Sequence, residues 1–361
     1  MGAAPDLPVY RILSDNGLIN ARERHIARLQ EIYEGKKPAR PFFLFGITGN
    51  INGVAPPAQS NPLAGIAQST SLAPVDPYVD AESWVAKALE DLAQRADALR
   101  DETVFRPLCL EFGPYGVHFI DRILGAHVYT SPDGTWWVDY LSGEVGALRA
   151  PDLFAHDTWS LARRFAMAFL GAGVTVPFFG LPTIASALNI ALNLYGEKIL
   201  LAFYEEPDAA RRGLRIINRV LCETHRWYLA NIPHAQLQPV IAQNRCQPPG
   251  HGQLCGCSTQ LVSRHVYQEF IAPLDEELIS VYPNGGMIHL CGSHTQHIPV
   301  WRAMKRMRAF QLNDRAAEDF EQYYRELGDD RIFYINPTEN VTIERILKVT
   351  DGRRVVIIAD P

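Results

Sequence analysis

Gly285-Gly286-Met287-Ile288-His289-Leu290-Cys291-Gly292 is the stretch on which the reading of this chain turns. Two glycines lead into a short apolar run that carries a His and a Cys two residues apart, and a third glycine ends it. Such a run predicts a strand buried on both faces. Side chains at i and i+2 of a strand point to one face. The imidazole of His289 and the thiol of Cys291 are therefore presented side by side at the strand's end, and both are zinc ligands by type. The same residues also read as a buried strand with an incidental core cysteine and a hydrogen-bonded histidine, because His-x-Cys is a short pattern.

Similar apolar runs recur on either side. Strands are predicted at 41–46, 105–113, 174–179, somewhere within 237–258, 287–291, 309–312, 332–335 and 355–359. The fourth is interrupted by Pro248-Pro249-Gly250. Amphipathic helical patterns fall between them, at 20–33, 81–100, 183–194, 207–232 and 263–274. Strands that alternate with helices and do not alternate in polarity imply a parallel sheet covered on both faces. Eight such units favour an α/β fold of the (β/α)8 TIM-barrel type. The expectation is a single domain over 1–361, with a β-hairpin excursion at about 127–145 and no internal repeat or linker. The segment 47–77, rich in Gly, Pro, Ser, Asn and Ala, is too long for a plain connector and reads as a mobile or functional loop.

Totals narrow the classes. A hydrophobic share of 47% with 20% charged residues describes a globular chain rather than a disordered one. The formal charge of −6, without blocks of like charge, argues against nucleic acid or an anionic membrane as partner. The uncharged stretch 165–196 is broken by Gly171, Gly173, Pro177, Gly180 and Pro182, so it reads as helix, strand and helix rather than a membrane span. Residues 1–8 lack the pattern of a secretory signal. The six cysteines are then expected as free thiols in the reducing cytoplasm.

In a barrel of this type, functional groups gather at the C-terminal ends of strands. Those ends carry Glu111 with His118 beyond it; His251, Cys255 and Cys257; His289 and Cys291, with His294 and His297; Asn313-Asp314; Asn336-Pro337; and Asp360. Three or four of these side chains suffice to close a tetrahedral zinc site. Cys255-Gly256-Cys257 alone has tighter spacing than a zinc knuckle. Glu111 follows an apolar run and reads either as a buried, partnered carboxylate or as a general acid/base. His118 and Asn313 are the other catalytic candidates, although a loop His is more often simply hydrogen-bonded. Asp314 reads equally as a helix cap. Tyr115, Trp136, Trp137 and Tyr140 either line a pocket or pack the hairpin onto the barrel. Cys109, Cys222 and Cys246 read as packing residues.

The order of several motifs resembles the uroporphyrinogen decarboxylase superfamily, and within it the cobalamin-dependent methyltransferase branch. The matching stretches are Asn20-Ala21-Arg22-Glu23-Arg24 with Gly35-Lys36-Lys37-Pro38, then Val176-Pro177-Phe178-Phe179-Gly180-Leu181-Pro182. Tyr195-Gly196-Glu197, Tyr204-Glu205-Glu206-Pro207, the helix at 263–273 and Ile288-His289-Leu290-Cys291-Gly292 follow in the family's order. The family fold is a (β/α)8 barrel. Its porphyrin decarboxylases carry an Arg-rich segment after the first strand that grips substrate carboxylates. Here Gly46-Ile47-Thr48-Gly49-Asn50 and the residues after it hold no Arg. Poor complementarity to a polycarboxylate turns the resemblance toward the methyltransferases.

Those methyltransferases bind zinc through a His-x-Cys pair and a later Cys at the end of strand eight. His289 and Cys291 match the pair. No Cys stands near strand eight, so Asp360 or Cys257 is expected to substitute. The resemblance implies zinc, a corrinoid (cobalamin) carrier or corrinoid protein, and a small-molecule methyl donor or acceptor; a homodimer is a further expectation. The alternatives are a metal-independent decarboxylase using carboxylates in the same mouth, and a non-catalytic barrel that binds a small ligand.

Overall fold

Asp15 fixes the start of the first long helix. Its carboxylate accepts a hydrogen bond from the Leu18 N–H at 3.0 Å, and the helix Asn16–Tyr33 then lays Leu18, Ile26, Leu29 and Ile32 against the core. The structure is a computed structural model that describes residues 8–46, 75–132, 134–239 and 242–360. Most of the segment 47–77 singled out in the sequence lies outside these residues.

In chain order the strands are β1 (Phe43–Leu44), β2 (Val104–Phe105), β3 (Cys109–Leu110), β4 (Val128–Thr130), β5 (Trp136–Val138) and β6 (Phe178–Gly180). They continue with β7 (Leu237–Gln238), β8 (Gly252–Cys255), β9 (Gly286–Leu290), β10 (Met307–Leu312), β11 (Ile332–Ile335) and β12 (Val355–Ile357). Seven of them form one parallel sheet in the order β2-β1-β12-β11-β10-β9-β8, and β3-β6-β7 form a second parallel sheet. The antiparallel pair β4–β5 is the hairpin expected at about 127–145.

This is a mixed α/β fold with parallel strands, as the apolar runs predict. The single closed ladder of eight strands is not what strand pairing draws among the described residues. The expected second strand is split: β2 pairs with β1, whereas β3 pairs with β6. Pro107, which has no N–H to give a ladder, stands between them. The expected fourth strand is split in the same way. β7 pairs with β6 and β8 with β9, and Pro239, Pro248 and Pro249 lie in the connection.

The uncharged stretch at 165–196 resolves into the end of the helix Asp157–Ala172, β6 and the helix Ala187–Tyr195. Among the described residues no helix is long and apolar enough to cross a membrane. Every residue of β9 is buried, and the core holds Trp159, Trp301, Tyr267 and Phe310. Gly286 is required where β9 begins: a Cβ there would lie 2.2 Å from the Gly252 carbonyl oxygen of β8.

Candidate metal centre

Strand register brings the first donors together. In the β8–β9 ladder Cys255 is paired with His289, and in the β9–β10 ladder His289 is paired with Gln311. Paired residues of neighbouring parallel strands project to the same side, so the three side chains stand in a row. Cys255 ends β8, Gly256 turns the chain, and Cys257 opens the short 3-10 helix Cys257–Leu261. A Cβ at position 256 would lie 2.5 Å from Ile288 Cδ1, so glycine lets this turn close onto β9. The ligand atoms of Cys255, Cys257 and His289 all lie within 4.8 Å of one another. Cys291 joins them: its Sγ is 3.1 Å from Cys257 Sγ and 3.0 Å from His289 Nε2.

Two layers of hydrogen bonds orient these donors. His289 Nδ1 is bonded to Gln311 Oε1, and Gln311 Nε2 donates to Asn336 Oδ1 beyond β11. An amide oxygen only accepts, so Nδ1 carries the proton and Nε2 turns its lone pair toward Cys291. The two cysteine-bearing turns are stapled by His294. Its Nε2 accepts from the Gly292 N–H at 3.2 Å, and its Nδ1 donates to Thr259 Oγ1 at 2.9 Å. Thr259 in turn donates to the Gly256 carbonyl, and His297 Nε2 donates to the Thr259 carbonyl at 2.8 Å. Burial pushes both imidazoles down, His294 to about 3, so they serve as neutral struts.

The thiols are charged unevenly. A hydrogen bond from Cys257 and the neighbouring His289 hold Cys291 well below the usual thiol range, and Cys255 is lowered chiefly by the same Cys257. Cys257, which keeps a proton between two sulfurs, is pushed up. Metal ligation requires thiolates and an unprotonated ring nitrogen. Cys255, Cys257 and His289 form a donor set of the kind zinc takes, and Cys291 Sγ lies against two of them, Cys257 and His289. The hydrogen bond that fixes the ring's tautomer is the outer support that metal-binding histidines ordinarily have.

Of the ligands expected from sequence, His289, Cys291 and Cys257 are brought together. Asp360 is not among them: its exposed carboxylate is bound to the Arg106 guanidinium. Cys255, which was not among the expected ligands, lies beside Cys257 and His289. Its Cys-x-Cys spacing is too tight for a zinc knuckle, but here the two thiols need only flank one glycine turn. Gln311 is a further partner that sequence reasoning missed; a lone amide inside the run Ala309-Phe310-Gln311-Leu312 was its signal.

The catalytic candidates make separate contacts. Glu111 is buried just beyond β3, with its Cγ 2.7 Å from where a Cβ on Gly180 would stand. His118 Nδ1 is 2.6 Å from Asp121 Oδ2, which also accepts from Asn193 Nδ2 at 2.8 Å. Burial raises the Asp121 carboxyl. One helical turn before Asn193, Asn189 donates to Ser258 Oγ at 2.7 Å, which ties the His118 pair to the turn holding Cys257. Among the described residues the Asn313 side chain donates to its neighbour Asp314, at 3.0 Å. His251 bonds the Pro248 carbonyl and packs on Tyr33, away from the thiols' hydrogen-bond network. Tyr115 and Trp136 pack on each other and on Tyr78, whereas Trp137 and Tyr140 are exposed. Cys109, Cys222 and Cys246 are buried, as packing residues are.

No protein-family model and no curated protein matches this chain. Among solved structures, a methyltransferase from Methanosarcina mazei superposes with a TM-score of 0.61 over 92% of this chain and 92% of that one, at 10% identity. At that identity the likeness is one of fold: the chain folds like that methyltransferase over nearly its whole length.

Proposed function

We propose that this protein is a zinc-dependent methyltransferase of the uroporphyrinogen decarboxylase-like superfamily, in its cobalamin-dependent branch. The observation that carries this reading is the convergence of Cys255, Cys257, Cys291 and His289 at the ends of β8 and β9. The fold it shares with a methyltransferase supports it. In this reading the two parallel sheets are arcs of one (β/α)8 barrel, broken at the proline-bearing second and fourth strands. A small-molecule methyl donor or acceptor, a corrinoid carrier or corrinoid protein, a homodimeric assembly and a reducing cytoplasmic setting belong to the same proposal.

Zinc held by these residues would supply a Lewis acid that keeps a thiol as thiolate near neutral pH. The chain's own residues do the rest. Gln311, braced by Asn336, holds His289 with Nε2 facing the thiols. His294 and Thr259 hold the two turns at a fixed spacing. His118, held at Nδ1 by Asp121, keeps Nε2 as the nitrogen that takes a proton, and Glu111 is the second proton-handling group in this proposal.

Zinc content by atomic emission and methyl transfer from methylcobalamin to a panel of small thiols test the reading together. One zinc per chain and transfer that collapses in His289→Ala are expected. Zinc-free protein whose activity is unchanged by His289→Ala would sink it. Release of carbon dioxide from a carboxylate substrate by metal-free protein would favour the decarboxylase alternative.

A further inference from the structure

Two half-buried thiols stand in direct sulfur-to-sulfur contact. Cys257 Sγ donates to Cys291 Sγ at 3.1 Å, although the residues are 34 apart in sequence. A disulfide holds its sulfurs at about 2 Å, so a side-chain movement of about 1 Å would join these two. Cys109 and Cys246 differ: both are buried, and each turns its thiol to the carbonyl of the next residue.

The backbone around the pair is held by bonds that use no sulfur. Thr259, two residues after Cys257, is tied at 2.9 Å to His294, three residues after Cys291. Thr259 also donates to the Gly256 carbonyl, and the Gly292 N–H donates to His294. Each turn is thus fastened to the other beside its cysteine, which keeps the sulfurs opposed whether or not an ion lies between them.

We propose that Cys257 and Cys291 form an oxidation site for peroxides and close there into a reversible disulfide. Partly exposed thiols poised beside a second cysteine are the ones that react this way. Cys291 Sγ, which also touches His289 Nε2 at 3.0 Å, attacks one oxygen of hydrogen peroxide. The O–O bond breaks, and the leaving hydroxide departs as water with the thiol proton. Cys257 then attacks the sulfenic acid on Cys291: the S–S bond forms, the S–O bond breaks, and a second water carries off the Cys257 proton. The two thiols give up two electrons and the peroxide takes them. A sulfur in a disulfide is no longer a thiolate ligand, so oxidation excludes the metal. That consequence alone rests on the reading of these residues as a metal centre.

The test treats the full-length protein, stripped of metal by a chelator, with hydrogen peroxide and maps its peptides without reduction by mass spectrometry. A link between Cys257 and Cys291, two hydrogens lighter than the free thiols, is expected, and a dithiol reductant should reverse it. The link persists in Cys255→Ser and is lost in Cys291→Ser. In protein carrying both Cys255→Ser and Cys257→Ser, dimedone should trap the sulfenic acid on Cys291. Zinc-loaded protein should release its metal in step with the disulfide; zinc kept by the disulfide form overturns the exclusion. A link between Cys255 and Cys257 instead, or no link in protein whose circular dichroism is unchanged, overturns the proposal. Zinc bound normally without any disulfide on oxidation overturns this proposal alone. A disulfide formed in protein that binds no zinc supports it and overturns only the metal centre.

Discussion

His289 and Cys291 face the same way because strand geometry leaves no choice, and that much is legible in eight residues of sequence. Cys255 joins them through a lateral register between β8 and β9, which depends on where each strand begins rather than on any local spacing. The difference can be measured. In the proposed zinc site Cys255 is a thiolate ligand, so Cys255→Ser is expected to weaken zinc binding by more than about a hundredfold, beyond the loss typical of an outer partner. Gln311→Leu, which leaves every donor in place but frees the His289 ring, should cost about 10- to 100-fold. Asp360→Asn should change nothing, because that carboxylate serves Arg106. Chelator competition on the three variants checks all of these. A normal affinity in Cys255→Ser, or a zinc-deficient Asp360→Asn, would return the ligand set to the one expected from sequence.

The strands explain why part of the architecture could be read in advance and part could not. Apolar runs locate β9, β10, β11 and β12 closely, since nothing but burial on both faces sustains them. The same runs do not show that β2 and β3, or β7 and β8, divide one expected strand between two sheets; prolines make that division by removing ladder donors. Nor does composition reveal how closely β8 and β9 approach where they start. A Cβ on Gly286 would sit 2.2 Å from the Gly252 carbonyl oxygen, which is backbone and cannot swing aside. Gly286→Ala must therefore push the two strands apart, and Cys255 is carried on one of them and His289 on the other. The expected cost is about 3 kcal/mol, at the upper end for overpacking a core. It should appear as a lower urea midpoint at unchanged slope, together with weakened zinc binding. An unshifted midpoint would show that the ladder has slack at its start.

Across the whole molecule, acidity should act through histidines that the fold buries in neutral form. Eleven histidines can be counted in the sequence, but not which of them lose water. Burial pushes His225 and His294 down to about 3 and His25 and His251 to about 4, from an ordinary value of 6.5. Above pH 6.5 these imidazoles are neutral whether the chain is folded or not, so they do not make stability depend on pH. Below it the unfolded chain takes up protons that the folded chain refuses until pH 3 to 4, and each such group removes about 1.4 kcal/mol per pH unit. Buried carboxyls oppose this. Asp275, pushed up to about 7 by burial, and Asp121, also raised, keep protons in the folded chain that the unfolded chain releases, and so gain stability on acidification. Four imidazoles against Asp275 leave a net loss on the order of 4 kcal/mol per pH unit near pH 5, which the raised Asp121 carboxyl reduces. Chemical denaturation of the metal-free protein, with chelator present so that zinc release plays no part, should show stability falling from pH 7 to pH 5. His225→Phe should flatten that slope by about 1.4 kcal/mol per unit, because His225 is buried against Tyr282 with its Nε2 unbonded among the described residues. A stability that is level or rising toward pH 5, or a slope indifferent to His225→Phe, would mean that water or rearrangement reaches these imidazoles before they charge.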